Sequence, residues 1–248
     1  MVIDWQQETG WAKHSTFGLR DEWVNLYLSD PLNWKSSGGL GNRQVESMAN
    51  WLKTCGMEDA GGGMTFLGRL FMQQGTAATE LWQLAWVNAV FNWPTARWYV
   101  YLGNGEWTIK ELRTILKSTM PRLSERTLDN AVLELVGTLE RTPIGDELGQ
   151  GLVTPTRPRR VTRRGAVPTN AAIVHSIGRL YLQQKRARLL WAEELTWPWV
   201  IFGCSPDLIL DRLLHLEGPY FSLDEHGVSI LAEDREGWLC GSIVTSFM

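Results

Sequence analysis

The sequence predicts a mainly α protein in which helix-turn-helix or winged-helix-like units surround a tryptophan-rich helical core, with short β-hairpins. Three observations predict it. Apolar residues recur at helical spacing behind recognisable caps, as at Thr108–Glu111 and Ser124. A Trp-rich apolar run from Leu81 to Tyr101 is broken at Asn92, Trp93 and Pro94. Alternating stretches, Tyr220 to Leu223 and Val228 to Leu231, flank a turn at Glu225, His226 and Gly227.

Taken in order, Asp21 to Leu28 reads as a short helix with Trp23, Leu26 and Tyr27 at spacings of three and four, ended by Pro31. Asn42 is the expected N-cap of the next helix, where Val45, Met48, Ala49 and Leu52 share a face and Gly56 supplies the stop. Trp51 and Leu52 are expected to be buried. Gly61 to Gly63 forms a joint before the segment Met64 to Gln73. In the Trp-rich run, Leu81, Leu84, Ala85, Asn88 and Phe91 are expected on one face, and a second segment resumes at Thr95 with Trp98, Tyr99 and Leu102, so the pair reads as a central packing hairpin.

Thr108 and Glu111 form a capping box for a helix burying Leu112, Ile115 and Leu116. After Pro121, Ser124 caps a longer helix with the stripe Leu128, Ala131, Val132, Leu135 and Leu139; two capped helices across a short turn make a helix-turn-helix candidate. Gly151 to Pro168 reads as a loop or short hairpin, Ala171 to Arg188 as a helix, and Ser205 and Asp207 start a last helix through Leu210, Leu213 and Leu214. Helices followed by a hairpin are the sequence pattern of a winged helix. Three units are expected: 1–60, a helix-turn-helix-like unit; 61–150, the Trp-rich core with a second helix-turn-helix; and 151–248, an Arg-rich loop with C-terminal helices and a hairpin.

The composition, with 248 residues, 44% apolar and 21% charged, is that of a folded chain with a sizeable core. The 14 tryptophans suit either helix packing or partner anchoring. A net charge of −3 gives no global attraction to nucleic acid, so any such binding must come from a local basic face. The three cysteines, Cys55, Cys204 and Cys240, are odd in number and far apart, which speaks against a disulfide framework and a tetrahedral zinc site. No export signal or apolar span is visible, so a soluble, cytoplasmic protein away from the membrane is expected.

The densest positive charge is Arg157, Arg159, Arg160, Arg163 and Arg164, spaced by proline and without an interleaved acid; this pattern suits tracking phosphates. An acidic protein surface would satisfy it equally. Arg43, Gln44, Ser47, Asn50 and Lys53 present donor and acceptor chemistry opposite the buried stripe of their helix, as do Arg122, Arg126 and Asn130 in the second candidate helix. Solvated helix faces carry the same residues. The glycine turn from Gly38 to Asn42 could offer helix amides to a phosphate, but no strand precedes it and no Lys-Ser/Thr follows, so it is neither a P-loop nor a dinucleotide fingerprint. His14 and Arg20 invite a catalytic reading, yet only Asp21 and Glu22 are close in sequence, which favours a hydrogen-bonding role. His175, His215 and His226 are scattered, and Glu193, Glu194, Glu233 and Asp234 read as surface acids. No metal, no cofactor and no enzymatic activity are expected.

The stretch His14, Thr16, Phe17 and Arg20, with Trp23 behind it, then Gly39 to Val45 leading into Met48, Trp51, Leu52 and Gly56, resembles a bacterial family of unknown function. Its members open with a His-x-Thr-Phe-x-x-Arg stretch and a Gly-x-Gly turn into a helix. The resemblance continues through Leu67, Gly68, Trp82 to Asn92, Trp98, Thr108 to Leu116 and Ser124 to Leu135; Asn42, Arg43 and Gln44 stand where Lys-Asn-Met is more usual. The family is often encoded beside sulfurtransferases resembling PAPS reductase, in DNA phosphorothioation and phage-defence islands. The resemblance implies a genetic context in which other proteins of a defence complex are partners. Together with the basic loop, it leads to the expectation of a nucleic-acid-associating accessory protein for DNA or RNA; the alternative is a structural subunit of a multiprotein nucleoprotein complex.

Overall fold

A computed structural model describes residues 3–231, 237–238 and 241–248. A 3-10 turn at Trp5–Gln7 leads to α1 (Asp21–Ser29), α2 (Trp34–Ser37), α3 (Asn42–Thr54) and α4 (Phe66–Gln74). The α3 cap is Gly41 rather than Asn42, which is the first helical residue. The physical reason lies three residues on: Gln44 Oε1 accepts the Gly41 amide at 3.1 Å, the reaching-back half of a capping box. Trp51 and Leu52 are fully buried, as their place on the apolar face requires.

The Trp-rich run forms α5 (Thr79–Asn92) and α6 (Pro94–Tyr101), separated where Trp93 is extended and Pro94 takes the first helical position. One buried face was expected for α5, but every residue from Leu81 to Phe91 is buried. The helix is enclosed by α3, α4, α6 and α9 (Asn170–Gln184), and a helix surrounded by neighbours has no solvent side to keep polar. Asn88 survives there because its amide donates to the Cys55 carbonyl at 3.1 Å and its oxygen lies 3.0 Å from His175 Nε2.

After α6 come β1 (Gly105–Thr108), α7 (Ile109–Thr119), α8 (Glu125–Arg141), β2 (Leu152–Val153) and β3 (Arg160–Arg163). The Thr108–Glu111 capping box is present, with Thr108 N donating to Glu111 Oε2 at 2.7 Å and Glu111 N to Thr108 Oγ1 at 3.1 Å. Ser124 Oγ accepts the Thr127 amide at 3.1 Å. The strands pair antiparallel in the order β1-β3-β2, with Trp107 opposite Val161 and Val153 opposite Val161 on the other side. The hairpin expected in the third unit therefore belongs, by pairing, with β1 of the second.

The chain then runs through α9, β4 (Arg188–Leu190), α10 (Pro198–Phe202), α11 (Pro206–Leu216), β5 (Phe221–Asp224) and β6 (Gly227–Ile230), with Ser242–Thr245 helical against α9. The helix expected to reach Arg188 stops at Gln184, with Lys185 left-handed (φ 56°). Arg188 to Leu190 are instead taken by pairing with Gly227 to Ser229. The hairpin around Glu225 and His226 forms as expected, and the sheet order is β4-β6-β5.

The second and third of these passages share one order: helix, strand, helix, helix, then a hairpin whose last strand sits between the other two. α6-β1-α7-α8-β2-β3 is unit one and α9-β4-α10-α11-β5-β6 is unit two. α5 packs on α9 and α6 on α10, so both units close over the same core. The chain is mainly α with short β-hairpins. No described helix is long and apolar enough to cross a membrane. Of the 14 tryptophans, Trp5, Trp107, Trp191 and Trp199 are half-buried and the rest are buried.

Candidate functional site

Residues 13–20, which carry the His-x-Thr-Phe-x-x-Arg motif, form a strap bound between α3 and α8. Ser15 (φ 53°) and Thr16 (φ 77°) are left-handed, a conformation that costs a non-glycine residue about 1–2 kcal/mol. Glu134 on α8 holds them there: its Oε1 accepts the His14 and Thr16 amides at 3.1 and 3.2 Å, and its Oε2 lies 3.0 Å from His14 Nδ1. His14 Nε2 is 3.0 Å from Thr54 Oγ1, and its ring stacks on Trp51 at 3.6 Å. Ser47 Oγ donates to the His14 carbonyl at 2.7 Å, and Trp51 Nε1 to the Phe17 carbonyl at 2.8 Å.

His14 and Glu134 are both fully buried. Burial pushes the Glu134 carboxyl up to about 8 and holds His14 well below its ordinary 6.5, since neither charge is welcome alone in this interior. The partner of His14 is thus Glu134, not Asp21 or Glu22. The pair fixes the strap. At Gly18 the strap lies so close to α8 that a β-carbon would fall 2.3 Å from the Gly137 carbonyl carbon.

The strap delivers Arg20 to a cleft of about 240 Å³, walled also by Thr16, Leu133, Gly137, Glu140, Arg141 and Arg159. Three guanidinium groups from three segments converge there: Arg20 from the motif, Arg141 from the end of α8, and Arg159 from the connection between β2 and β3. Arg20 lies 4.9 Å over the Trp23 ring and 5.9 Å over Phe17, and its Nε is buried without a hydrogen-bond partner. Burial first, and the like charge of Arg141 second, lower its pKa from the ordinary guanidinium value. Glu140 pairs with Arg159 at 2.6 Å, leaving the cleft lining with a positive excess.

The five hairpin arginines do not act alike. Arg157 and Arg164 are exposed. Arg159 and Arg160 are half-exposed and meet acids that the local sequence did not show, Glu140 at 2.6 Å and Glu106 at 2.8 Å. Arg163 departs from the expectation outright, being 2% exposed. Its Nε donates to Gln150 Oε1 at 3.1 Å, Nη1 to the carbonyls of Val100 and Gly103 at 2.8 and 3.2 Å, and Nη2 to those of Val200 and Ile201, both at 2.9 Å. It is no phosphate ligand: its donors are consumed in tying the end of α6 to α10, and burial draws it down to about 10. The pattern along β3 explains this, since Val161 and Arg163 share the inward face.

The polar face expected on α3 is likewise divided. Ser47 is fully buried under the strap and is removed from the candidate surface. Gln44 serves the cap, and Arg43 is exposed with Nη2 3.5 Å from the Ser15 carbonyl, beside the cleft wall. Asn50 and Lys53 line a separate groove of about 470 Å³ with Lys13, Glu58 and Asp59, where both signs of charge meet. Glu58 Oε2 is buried there without a partner, and burial raises that carboxyl. Arg122 and Arg126 are exposed and Asn130 half-exposed around the start of α8.

Arg141 and Glu134 escaped the sequence reading. Glu134 had a usable signal: at three residues after Ala131 and four before Thr138 it lies on the apolar face of α8, where an unpaired acid is not tolerated. Arg141 carried no signal beyond its place in the last helical turn. Of the cysteines, Cys55 and Cys204 are free, and Cys240, like Glu233 and Asp234, lies outside the described residues.

No family model and no curated protein sequence matches the chain. Two solved structures do. A magnesium ion-bound SspB crystal structure superimposes with a TM-score of 0.68 at 14% identity, covering 97% of this chain and 88% of that one. A second SspB crystal structure gives 0.66 with the same identity and coverage. The chain shares the SspB fold. At this identity the likeness to SspB is one of architecture. The magnesium is a property of that SspB structure; among the described residues of this chain no three His, Cys, Asp or Glu side chains gather as a hard cation's donor set would require.

Proposed function

We propose that this chain is a nucleic-acid-binding component of a bacterial DNA-modification or defence system, acting in the cytoplasm, and that it grips phosphate through the cleft of Arg20, Arg141 and Arg159. One observation carries the reading: the family-like motif and the arginine-rich hairpin, far apart in sequence, meet through Arg20 and Arg159 in one cleft with a positive excess. The order helix–strand–helix–helix–hairpin, with the last strand central, is that of a winged helix, and it occurs in both units. In unit one the β2–β3 connection is the wing, and it carries Arg157 and Arg159. The phosphorothioation and defence setting rests on the motif resemblance, and the SspB-like fold is consistent with it.

Guanidinium groups recognise phosphate oxygens in a fixed fork, so a cleft holding three of them, one with an unused buried N–H, fits a backbone phosphate. The test is binding of duplex DNA, single-stranded DNA and RNA at several salt concentrations, for the natural protein and for the Arg141→Gln/Arg159→Gln variant. The expected result is a log–log salt slope reduced by about 0.9 per lost duplex contact, or about 0.7 on single strands. Equal affinity and slope for both proteins would remove the cleft from the interface.

A second reading, a structural subunit of a nucleoprotein complex, is supported by unit two, where Leu190, Leu214 and Leu231 are exposed. The two readings are compatible if each unit serves one partner.

A further inference from the structure

A cavity of about 430 Å³ opens between the N-terminal turn, the end of α6 and the segment joining β4 to α10. Its walls are aromatic: Trp5, Tyr101, Trp191, Trp197 and Trp199. Trp197 and Trp199 stack at 5.1 Å and 16°, Trp191 leans on both at 5.0 and 6.2 Å, and Trp5 meets Tyr101 edge-on at 5.9 Å. The rings are anchored by their polar edges. Trp191 Nε1 donates to the Asp224 carbonyl at 3.1 Å, Trp197 Nε1 to the Glu193 carbonyl at 3.0 Å, and the Tyr101 hydroxyl lies 3.3 Å from Thr196 Oγ1. Trp197 belongs to the core and the other rings pack against it, yet Trp5, Trp191 and Trp199 stay half-buried around an open space in a protein that buries nearly all its other tryptophans.

The charge of the lining decides what fits. It contains no lysine or arginine, and its two charged residues are Glu193 and Glu194. Glu193 is engaged by Arg186. Glu194 is exposed and has no ion pair among the described residues; the Tyr101 hydroxyl is raised mainly by burial, with Glu194 near enough to add to it. The cation beside Tyr101, Arg97, is spent on Glu8 at 2.6 Å. Negative ring faces and a free carboxylate repel a phosphate and attract a positive group that sheds water readily.

We propose that this cavity binds an organic cation, an alkylated ammonium or a guanidinium head, held between the tryptophan faces with Glu194 as its counter-charge. This site is distinct from the arginine cleft, shares none of its residues, and does not depend on the phosphate reading. Its chemistry is opposite in sign, so the two sites can be occupied together by different partners or by different parts of one.

Tryptophan emission of the full chain, titrated with choline, with its uncharged carbon counterpart 3,3-dimethylbutan-1-ol, and with N-acetyl-arginine amide, tests this. Saturable binding of a cation is expected, with the alcohol weaker by about tenfold, a ratio that cation–π and charge attraction together readily supply. Choline ahead of the arginine amide assigns the site to a small ammonium compound, and the reverse order assigns it to a partner's arginine side chain. Glu194→Gln, at an exposed position that folding does not need, should weaken the cation about three- to tenfold and leave the alcohol unchanged. Trp199→Leu should abolish the cation response while the melting midpoint confirms folding. The proposal falls if the alcohol binds as well as choline, if neither cation saturates, if Glu194→Gln has no effect, or if adenosine monophosphate saturates the site in their place.

Discussion

Units one and two repeat the same order of elements and the same sheet order, yet they present opposite chemistry at equivalent places. The connection between β2 and β3 carries Arg157 and Arg159, whereas the turn between β5 and β6 carries Glu225 and His226 behind Asp224, whose Oδ1 accepts the His226 and Gly227 amides at 2.8 and 3.0 Å. The third helix of unit one, α8, is covered along its second half by the strap. That of unit two, α11, exposes Asp207, Asp211 and Leu214. The lesson is that a repeated scaffold fixes where a wing and a helix stand, while a handful of side chains fixes what they can meet.

The largest expected effect breaks the join between the units. Arg163→Ala takes a donor from four carbonyls, those of Val100 and Ile201 buried and those of Gly103 and Val200 half-buried, and should cost about 3–5 kcal/mol in urea unfolding, while Arg164→Ala next door should stay within about 0.5 kcal/mol. Similar losses for the two would mean that the buried hydrogen bonds of Arg163 carry no more weight than an exposed arginine just past β3.

A smaller effect, specific to unit one, is a pH dependence. The unfolded chain has released the His14 and Glu134 protons above about pH 6.5, but the folded pair keeps one until Glu134 ionises at about 8. Folding therefore takes up a proton in that window, and stability falls as pH rises through it, by something on the order of 2 kcal/mol. The unfolding midpoint against pH should show this slope, and Glu134→Gln, which cannot titrate, should flatten it. Unit two has no matching buried acid among the described residues.

The wings can be compared directly by binding. Arg157→Gln/Arg159→Gln should shallow the salt slope on duplex DNA by up to about 0.9 per contact, whereas Asp224→Asn/Glu225→Gln should leave it unchanged. A shallower slope in the second variant would move the interface to unit two. The smallest effect is expected where Arg188 meets Asp224 at 2.5 Å on the surface: Asp224→Asn should leave the melting midpoint where it is at moderate salt, since exposed pairs contribute little.

What could be read from the sequence follows the range of the interaction. The Thr108–Glu111 box, the Ser124 cap and the Glu225–His226 turn were legible because each is closed within a few residues. β1 and β4 were not, because three- or four-residue strands carry almost no periodicity and exist by pairing with β3 and β6, tens of residues away. The arginine run announced a basic surface but not its sorting: alternation along β3 turned Arg163 inward, and Glu106 and Glu140 arrived from other elements. The cleft itself was half-legible, since Arg20 and Arg159 were each singled out and only the strap's path past Gly137 could join them.

Arg163 also sets how the molecule comes apart. Its guanidinium spans the sheet of one unit, the end of α6 and the carbonyls of α10 in the other, so neither half can loosen without stranding hydrogen bonds in its neighbour. Partial opening is thereby penalised from both directions, and heating should produce a single calorimetric transition rather than two. Amide exchange should then find the protection of α6 and α10 falling together, since the arginine adds a hydrogen-bonded tie to the core that the two units already share.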